Sequence, residues 1–322
     1  MKSSTFTQNI VFRNHVAEGL TAKTKFLSSR YFYDKIGDAL FQKIMAMPEY
    51  YLTNSEMEIF TEQAKDIISA FGMKKSQPFE VIELGAGDGT KTVQLLTELK
   101  NQNYEFEYLP VDISENALIQ LKNSLSSQLP ELKINPKQGE YFKVLEELLV
   151  SEKPKIILFI GSNLGNMTDD LANEFLQSLS SYLKKHDKVL LGLDLIKSID
   201  IVLPAYNDPT GITRDFNLNL LTRINRELGG NFNILQFSHL AEYSEETGIT
   251  KSFIKSNIAQ KVTISSLNQT FDFRKDELIH TEISRKYNDP ILNMVLNGTD
   301  LSVIDKFTDR KKYFTDFLLE KR

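Results

Sequence analysis

The sequence predicts an α/β fold: a parallel sheet covered by helices, interrupted by a second piece of different character before its last strands. Three observations carry that prediction. Short apolar runs alternate with amphipathic segments between about residues 79 and 195, the rhythm of a parallel sheet with a helix after each strand. The first run, Val81-Ile82-Glu83-Leu84, enters a glycine turn, Gly85-Ala86-Gly87-Asp88-Gly89, and continues into the helix-like Lys91-Thr92-Val93-Gln94-Leu95-Leu96. The rhythm stops near residue 197 and returns only after about residue 286.

Taken in order, the predicted strands of the regular part are Phe79–Glu83, Phe106–Val111, Leu132–Gln138, Lys155–Ile160 and Lys188–Leu195. The predicted helices between them are Thr90–Leu99, Glu115–Ser124, Phe142–Val150 and Asp169–Lys184, with Ser114 placed to cap the second and Thr168 or Asp169 the fourth. In the interruption, Ile212–Leu228 reads as a helix, with Thr213-Arg214-Asp215 at its start and Gly229-Gly230 as a stop. Phe253–Ile258, Val262–Ile264 and Phe271–Phe273 read as antiparallel strands broken by polar turns. Near the end, Asn288–Leu296 reads as a helix, and Leu301–Phe307 and Tyr313–Leu319 as a strand pair around Thr308-Asp309-Arg310-Lys311-Lys312.

Composition bounds the function. The 322 residues suffice for one large or two modest domains, and 41% hydrophobic with 25% charged residues is an ordinary globular balance. A net charge of −5 with both signs interspersed predicts no broad basic face for nucleic acid or an anionic membrane. The absence of cysteine removes disulfides, thiolate nucleophiles and cysteine-bound zinc, and fits a reducing compartment. Met1-Lys2-Ser3-Ser4-Thr5-Phe6 lacks the apolar core of a secretory signal. The longest apolar runs, Ile156-Ile157-Leu158-Phe159-Ile160 and Val189-Leu190-Leu191-Gly192-Leu193, are too short to span a bilayer. A cytoplasmic, monomeric protein is the expectation.

The spacing of the glycines narrows the ligand. A dinucleotide fingerprint places its third glycine three residues after the second, whereas Gly89 follows Gly87 by two. The pattern Glu83-x-Gly85-x-Gly87-x-Gly89 instead resembles motif I of S-adenosylmethionine (SAM)-dependent methyltransferases. Asp112 closes the next apolar run, Tyr108-Leu109-Pro110-Val111-Asp112, where a carboxylate can accept from both hydroxyls of a ribose. Alone, these residues are also compatible with a plain glycine turn and a solvated aspartate. An antiparallel pair closing a parallel sheet is the usual ending of such a methyltransferase. The fold expected is therefore a class I SAM-dependent methyltransferase (Rossmann-like) core, residues 58–196 and 286–322. A second α+β substrate-binding domain is expected from residues 1–57 and 197–285.

Further segments resemble one family, the histidine-specific methyltransferases of ergothioneine biosynthesis. They are Phe32-Tyr33-Asp34, Gly37, Pro48-Glu49-Tyr50-Tyr51-Leu52-Thr53, Glu83-Leu84-Gly85-Ala86-Gly87 and Pro110-Val111-Asp112-Ile113-Ser114. Gly161-Ser162-Asn163-Leu164-Gly165-Asn166, Phe216-Asn217-Leu218-Asn219, Asn225-Arg226-Glu227-Leu228 and His280-Thr281-Glu282-Ile283-Ser284 follow in the same order. The resemblance implies trimethylation of the α-amino group of L-histidine to hercynine with three molecules of SAM. It also implies a small amino-acid substrate, L-histidine and its mono- and dimethylated forms, and no metal.

By that resemblance SAM lies against Gly85 and Gly87 with Lys91 beside them, Asp112 holds the ribose, and Glu140-Tyr141 meets the adenine, where the family usually has aspartate and phenylalanine. Taken alone, Glu140 is a surface carboxylate and Tyr141 a packing residue. The same resemblance carries the substrate site to Tyr50, Gly161, Asn166, Tyr206, Glu282 and Ser284, and a catalytic role to Tyr33 and Asn166. The chemical types suit the task. An amide can accept from an amine, tyrosine hydroxyls can donate to a carboxylate, and Glu282 and Ser284, two apart in a strand, share a face from which to grip both imidazole nitrogens. Without the resemblance Tyr33, Tyr50 and Tyr206 read as aromatic core, Asn166 as a turn residue and Glu282 as a solvated strand charge.

His15, His186, His239 and His280 show no ligand spacing, and His280 is read as structural on the ground that adjacent strand residues point to opposite faces. By the resemblance, Ser252 stands where the family commonly has methionine near the imidazole, which implies a more polar pocket wall and a less strict histidine preference. The competing expectations are an N-methyltransferase of another aromatic amino acid or derivative, a nucleic-acid or protein methyltransferase, and a non-catalytic SAM-binding protein. Gly161-Ser162-Asn163, in place of an Asn-Pro-Pro-Tyr type motif, argues against nucleic acid.

Overall fold

The computed structural model describes residues 2–148 and 150–322, with side-chain environments from Ile10 onward. Leu149, inside the helix expected over Phe142–Val150, and Met1 lie outside the described residues. The chain divides into two compact units, Met1–Tyr51 with Lys197–Ser284, and Leu52–Ile196 with Arg285–Arg322. Before the interruption come strands β1 (Phe79–Leu84), β2 (Phe106–Asp112), β3 (Lys133–Ile134), β4 (Lys137–Gln138), β5 (Lys155–Phe159) and β6 (Lys188–Asp194). The interruption carries β7 (Phe237–Ser244), β8 (Ile249–Ser256), β9 (Gln260–Ile264), β10 (Gln269–Phe273) and β11 (Leu278–Arg285). The chain closes with β12 (Leu301–Thr308) and β13 (Phe314–Lys321).

The unit from Leu52 is built on one sheet, ordered β12-β13-β6-β5-β1-β2-β3, with β4 also on β2. Strands β6, β5, β1 and β2 run parallel, and β13 and β12 join antiparallel. β1, β5 and β6 are buried along their whole length, the condition that near-continuous apolar runs meet when both sheet faces are covered. Ile82, Leu84, Ile157, Phe159, Leu191 and Leu176 lie in its apolar core. Because the central strands are parallel, the turns after Leu84, Asp112 and Phe159 leave the sheet at the same edge, where open α/β sheets take their ligands.

Leu132–Gln138 is not one strand. β3 and β4 pair with β2 in succession and Asn135-Pro136 parts them, because Pro136 has no amide hydrogen for the ladder. The helix after β1 covers Thr92–Asn101 and starts later than the pattern suggested, since the Thr90 amide donates to Asp88 Oδ1 at 3.0 Å instead of entering the helix. Ser114 and Thr168 cap the helices Glu115–Gln128 and Asp169–Ser181, accepting from Ala117 and Leu171 amides at 3.2 and 3.4 Å.

The other unit is α+β. Its helix Ile212–Leu228 ends at Gly229 with φ 66° and begins under Asp208, whose carboxylate accepts the Ile212 and Thr213 amides at 3.0 and 2.8 Å. Phe216, Leu220, Leu221 and Ile224 of this helix share a core with Phe12 and Val16 of the helix Lys2–Thr21 and with Ile254 and Ile279 of the sheet. The sheet is ordered β11-β8-β7, and β9 and β10 form a separate antiparallel pair. Lys25–Leu27 runs along the open side of β11, the Leu27 amide donating to the His280 carbonyl at 2.8 Å and the His280 amide to the Lys25 carbonyl at 2.9 Å. The sequence pattern marks neither β7 nor the N-terminal helices. The buried residues of β7, Phe237, Ala241 and Tyr243, lie on one face, but the polar His239 among them and the apolar Leu240 on the other face hide the alternation that identifies a strand.

Candidate functional site

The glycine turn gives its three glycines different tasks. All have positive φ, 78° at Gly85, 53° at Gly87 and 68° at Gly89, a conformation that L side chains resist. A Cβ at Gly85 would stand 2.7 Å from the Tyr141 hydroxyl, and one at Gly89 would stand 2.2 Å from Leu121 Cδ1. Gly89 therefore admits the helix Glu115–Gln128. Gly87 faces open space, with nothing within 4 Å of its Cβ position. The Asp112 carboxylate draws the amides of Ser114, Gly87 and Ile113, and Ser114 N stands 2.9 Å from Oδ1. Burial raises its pKa above the aspartate range, against the pull of those amides. Gly85, Gly87, Asp112 and Tyr141 are thus brought together at the edge where β1 and β2 end.

The Tyr141 ring meets Phe159 and Phe175 edge-on at 6.0 and 6.4 Å, and burial, with Asp112 and Glu83 nearby, pushes its hydroxyl pKa up to about 12. Glu140 does not share this setting. Its side chain is 67% exposed and pairs with Lys143 at 3.5 Å. Lys91 is held by the carboxylate of Glu56, and its Nζ lies 3.4 Å from the Cβ position of Gly161. Burial pulls the Lys91 pKa down, but Glu56, Asp316 and Glu83 more than reverse it, and the ammonium stays charged. Glu83 accepts from the hydroxyls of Thr92, at 2.7 Å, and Tyr108, and burial raises its pKa to about 7. These residues suit an adenosyl ligand: a carboxylate for vicinal hydroxyls, an aromatic ring, and bare backbone at Gly87.

After β5, Gly161 (φ 75°) and Ser162 (φ 58°) make a left-handed turn into the 3-10 turn Asn163–Asn166. Ser162 Oγ accepts the Asp194 amide at 3.0 Å, and Asn163 folds back onto the Ile160 carbonyl at 2.9 Å. A Cβ at Gly165 would meet the Arg285 carbonyl at 2.7 Å, so the Arg285 backbone packs directly on this turn. Asn166 stands exposed at its end. Lys286 and Asp194, both fully buried, pair at 2.8 Å behind it.

In the other unit, the Tyr206 hydroxyl donates to Ser284 Oγ at 2.8 Å, which joins two of the expected substrate residues across 78 positions. His239 Nε2 donates to the Tyr206 carbonyl at 2.8 Å, so the proton sits on Nε2; burial lowers its pKa and keeps the ring neutral. Thr281 turns toward the helix Ile212–Leu228, its hydroxyl lying 2.9 Å from Asn217 Oδ1 and 3.0 Å from the carbonyl of the buried Ser252. Glu282, half-buried, therefore faces the other way, with Ser284. The expectation for His280 needs correction: two residues from Glu282, it shares the face it was placed opposite. Its ring lies 5.4 Å from Phe253, and its buried Nε2 has no hydrogen-bond partner among the described residues. Tyr33 and Tyr50 both meet Phe41, at 5.5 and 6.4 Å between ring centroids, in one aromatic cluster.

Sequence reasoning missed Asp34, which caps the helix Lys35–Met45 by accepting the Ile36 and Gly37 amides at 3.1 and 2.7 Å. It also takes Asn219 Nδ2 at 3.0 Å and pairs with Arg226 at 2.5 Å. Three of the resembling segments thus meet at one carboxylate. Gly37 is confined there too, since a Cβ would stand 1.7 Å from the Phe32 carbonyl. Glu56 and Asp316, both fully buried, were missed as well; single acids amid ordinary residues give no signal. Among the described residues no cluster of three or more histidines and acids could hold a metal, and no helix is long and apolar enough to cross a membrane.

A family model described as histidine-specific methyltransferase, SAM-dependent, matches residues 12–321. The chain belongs to that family. The histidine N-alpha-methyltransferase of Mycolicibacterium smegmatis is 32% identical over 275 residues, 85% of this chain and 84% of that protein. The protein of the same name from Mycobacterium tuberculosis is 30% identical over 301 residues, 94% of this chain and 92% of its own length. A relative named L-tryptophan methyltransferase, from Psilocybe serbica, is 28% identical over 327 residues, 94% of this chain and 90% of that protein. Within this family of SAM-dependent methyltransferases, the parallel sheet with its antiparallel closing pair is a Rossmann-like core.

Proposed function

We propose that this chain trimethylates the α-amino nitrogen of L-histidine, forming hercynine in an ergothioneine-type pathway. The observation that carries the reading is the Tyr206–Ser284 hydrogen bond on the face of β11 that also carries Glu282. A carboxylate and a fixed hydroxyl two residues apart can hold the two nitrogens of an imidazole, whereas an indole offers only one N–H. Tyr50 and Gly161 are the further residues assigned to the amino acid.

SAM supplies an electrophilic methyl group. Gly85, Gly87, Lys91, Asp112, Glu140 and Tyr141 are the residues assigned to hold it. Asn166 is assigned to the α-amino group, and the Tyr33 hydroxyl to the proton that group must lose. A free α-amino group has a pKa of about 8 and is mostly protonated at neutrality, so its lone pair must be freed before each transfer. Each unit by which the site lowers that pKa contributes about 1.4 kcal/mol, so a strong base is unnecessary.

A second reading, in which another aromatic amino acid is the substrate, takes its support from the relative named L-tryptophan methyltransferase, 28% identical over 94% of this chain. The test is kcat/KM for histidine against tryptophan, tyrosine and phenylalanine under saturating SAM. The proposal expects histidine to lead by about a hundredfold or more. A lead for tryptophan would replace it with the second reading.

A further inference from the structure

Two buried acids in the unit from Leu52 are not used by the proposed chemistry. Glu56, on the helix Tyr51–Glu62, spreads its oxygens between two turns. Oε1 accepts the Gly161 amide at 2.8 Å, and Oε2 holds the Lys91 ammonium. Room for this carboxylate comes from Gly192 in β6, where a Cβ would stand 2.3 Å from Glu56 Oε1 and 3.0 Å from Asp316 Oδ1. Asp316 lies opposite Gly192 in β13 and is fully buried, and among the described residues no donor reaches either of its oxygens. Two carboxyl groups thus converge over one glycine, facing one ammonium. If both were ionised, one buried charge would go unpaired, which costs far more than sharing a proton. Glu83, the third acid facing Lys91, has its oxygens engaged by Thr92 and Tyr108.

We propose that Glu56 is a positioning residue for the SAM site, tying the Lys91 turn to the Gly161 turn, and that Asp316 supports it as a neutral acid donating its proton to Glu56. One carboxylate then opposes one ammonium, and every oxygen that Glu56 presents is used. Burial, with the Glu56 charge beside it, pushes the Asp316 pKa well above the carboxylate range, in keeping with that state. Asp316 acts through Glu56, and Glu56 through Lys91 and the Gly161 backbone. The inference rests on the assignment of Gly85, Gly87 and Lys91 to SAM and is independent of the amino-acid substrate.

The test is SAM affinity by calorimetry without any amino acid, with circular dichroism to confirm folding. Glu56→Ala should weaken SAM binding about a hundredfold and Glu56→Gln about tenfold, because the amide still accepts from Gly161 but no longer opposes Lys91. Asp316→Asn keeps a donor toward Glu56 and the charge balance, and should cost at least fivefold less than Glu56→Gln. A folded Glu56→Ala protein with wild-type affinity overturns the inference alone. So does Asp316→Asn losing as much as Glu56→Gln, a comparison that stands even if Glu56→Ala does not fold. Absence of SAM binding by the wild-type chain overturns this inference and the cofactor assignment together.

Discussion

Thr281 and Glu282 are neighbours in β11 and serve opposite faces. Thr281 spends its hydroxyl on Asn217 and the Ser252 carbonyl, which fixes the strand on the helix Ile212–Leu228 and leaves Glu282 on the other side. If Glu282 holds the substrate ring, Glu282→Ala should raise the histidine KM about 10- to 100-fold, the worth of a hydrogen bond to a charged group, while SAM affinity changes less than about twofold. Unchanged histidine kinetics would remove the assignment. At this scale the sequence was legible where spacing decides geometry. The two-residue step from Glu282 to Ser284 was readable, and the same rule, applied to His280, gives the shared face. The Tyr206–Ser284 bond and the Glu56–Gly161 bond join residues 78 and 105 positions apart, and no local pattern encodes them.

At the scale of elements, the helix Lys35–Met45 shows how a motif can mark structure. Asp34 stands in a segment that carries the family resemblance, and its work is to cap this helix and to bind Asn219 and Arg226 of the helix Ile212–Leu228. Burial alone would raise its pKa, but the Gly37 amide, Arg226 and Asn219 more than offset it and the net shift is downward. A depressed folded pKa means stability that is present above the ordinary aspartate value and lost as pH falls through the lowered one. Asp34→Ala should therefore cost about 1–2 kcal/mol in urea unfolding at about pH 7, and the gap from wild type should narrow by about pH 3. A gap independent of pH would contradict the charged role. Elements with continuous apolar runs or clear stops, such as β1, β5, β6 and the helix ending at Gly229, were legible. β7 was not, because the polar His239 and the apolar Leu240 break the apolar–polar alternation of its sequence, and β3 and β4 merged because the break at Pro136 lies inside an otherwise strand-like stretch.

For the molecule as a whole, the alternating rhythm and its interruption were readable because a parallel sheet needs a crossover after every strand, whereas the antiparallel piece does not. The pairing of Lys25–Leu27 with β11 was beyond a local reading, since its partner lies more than 250 residues away and its hydrogen bonds are main-chain. The proposed trimethylation asks one thing of the entire chain, that three methyl groups from SAM reach a single nitrogen. The most direct measurement is mass spectrometry with fragmentation of the product from L-histidine and excess SAM. The proposed function predicts a trimethylated product with all three methyl groups on the α-nitrogen. Accumulation of a monomethyl product, or methylation of a ring nitrogen, would contradict it.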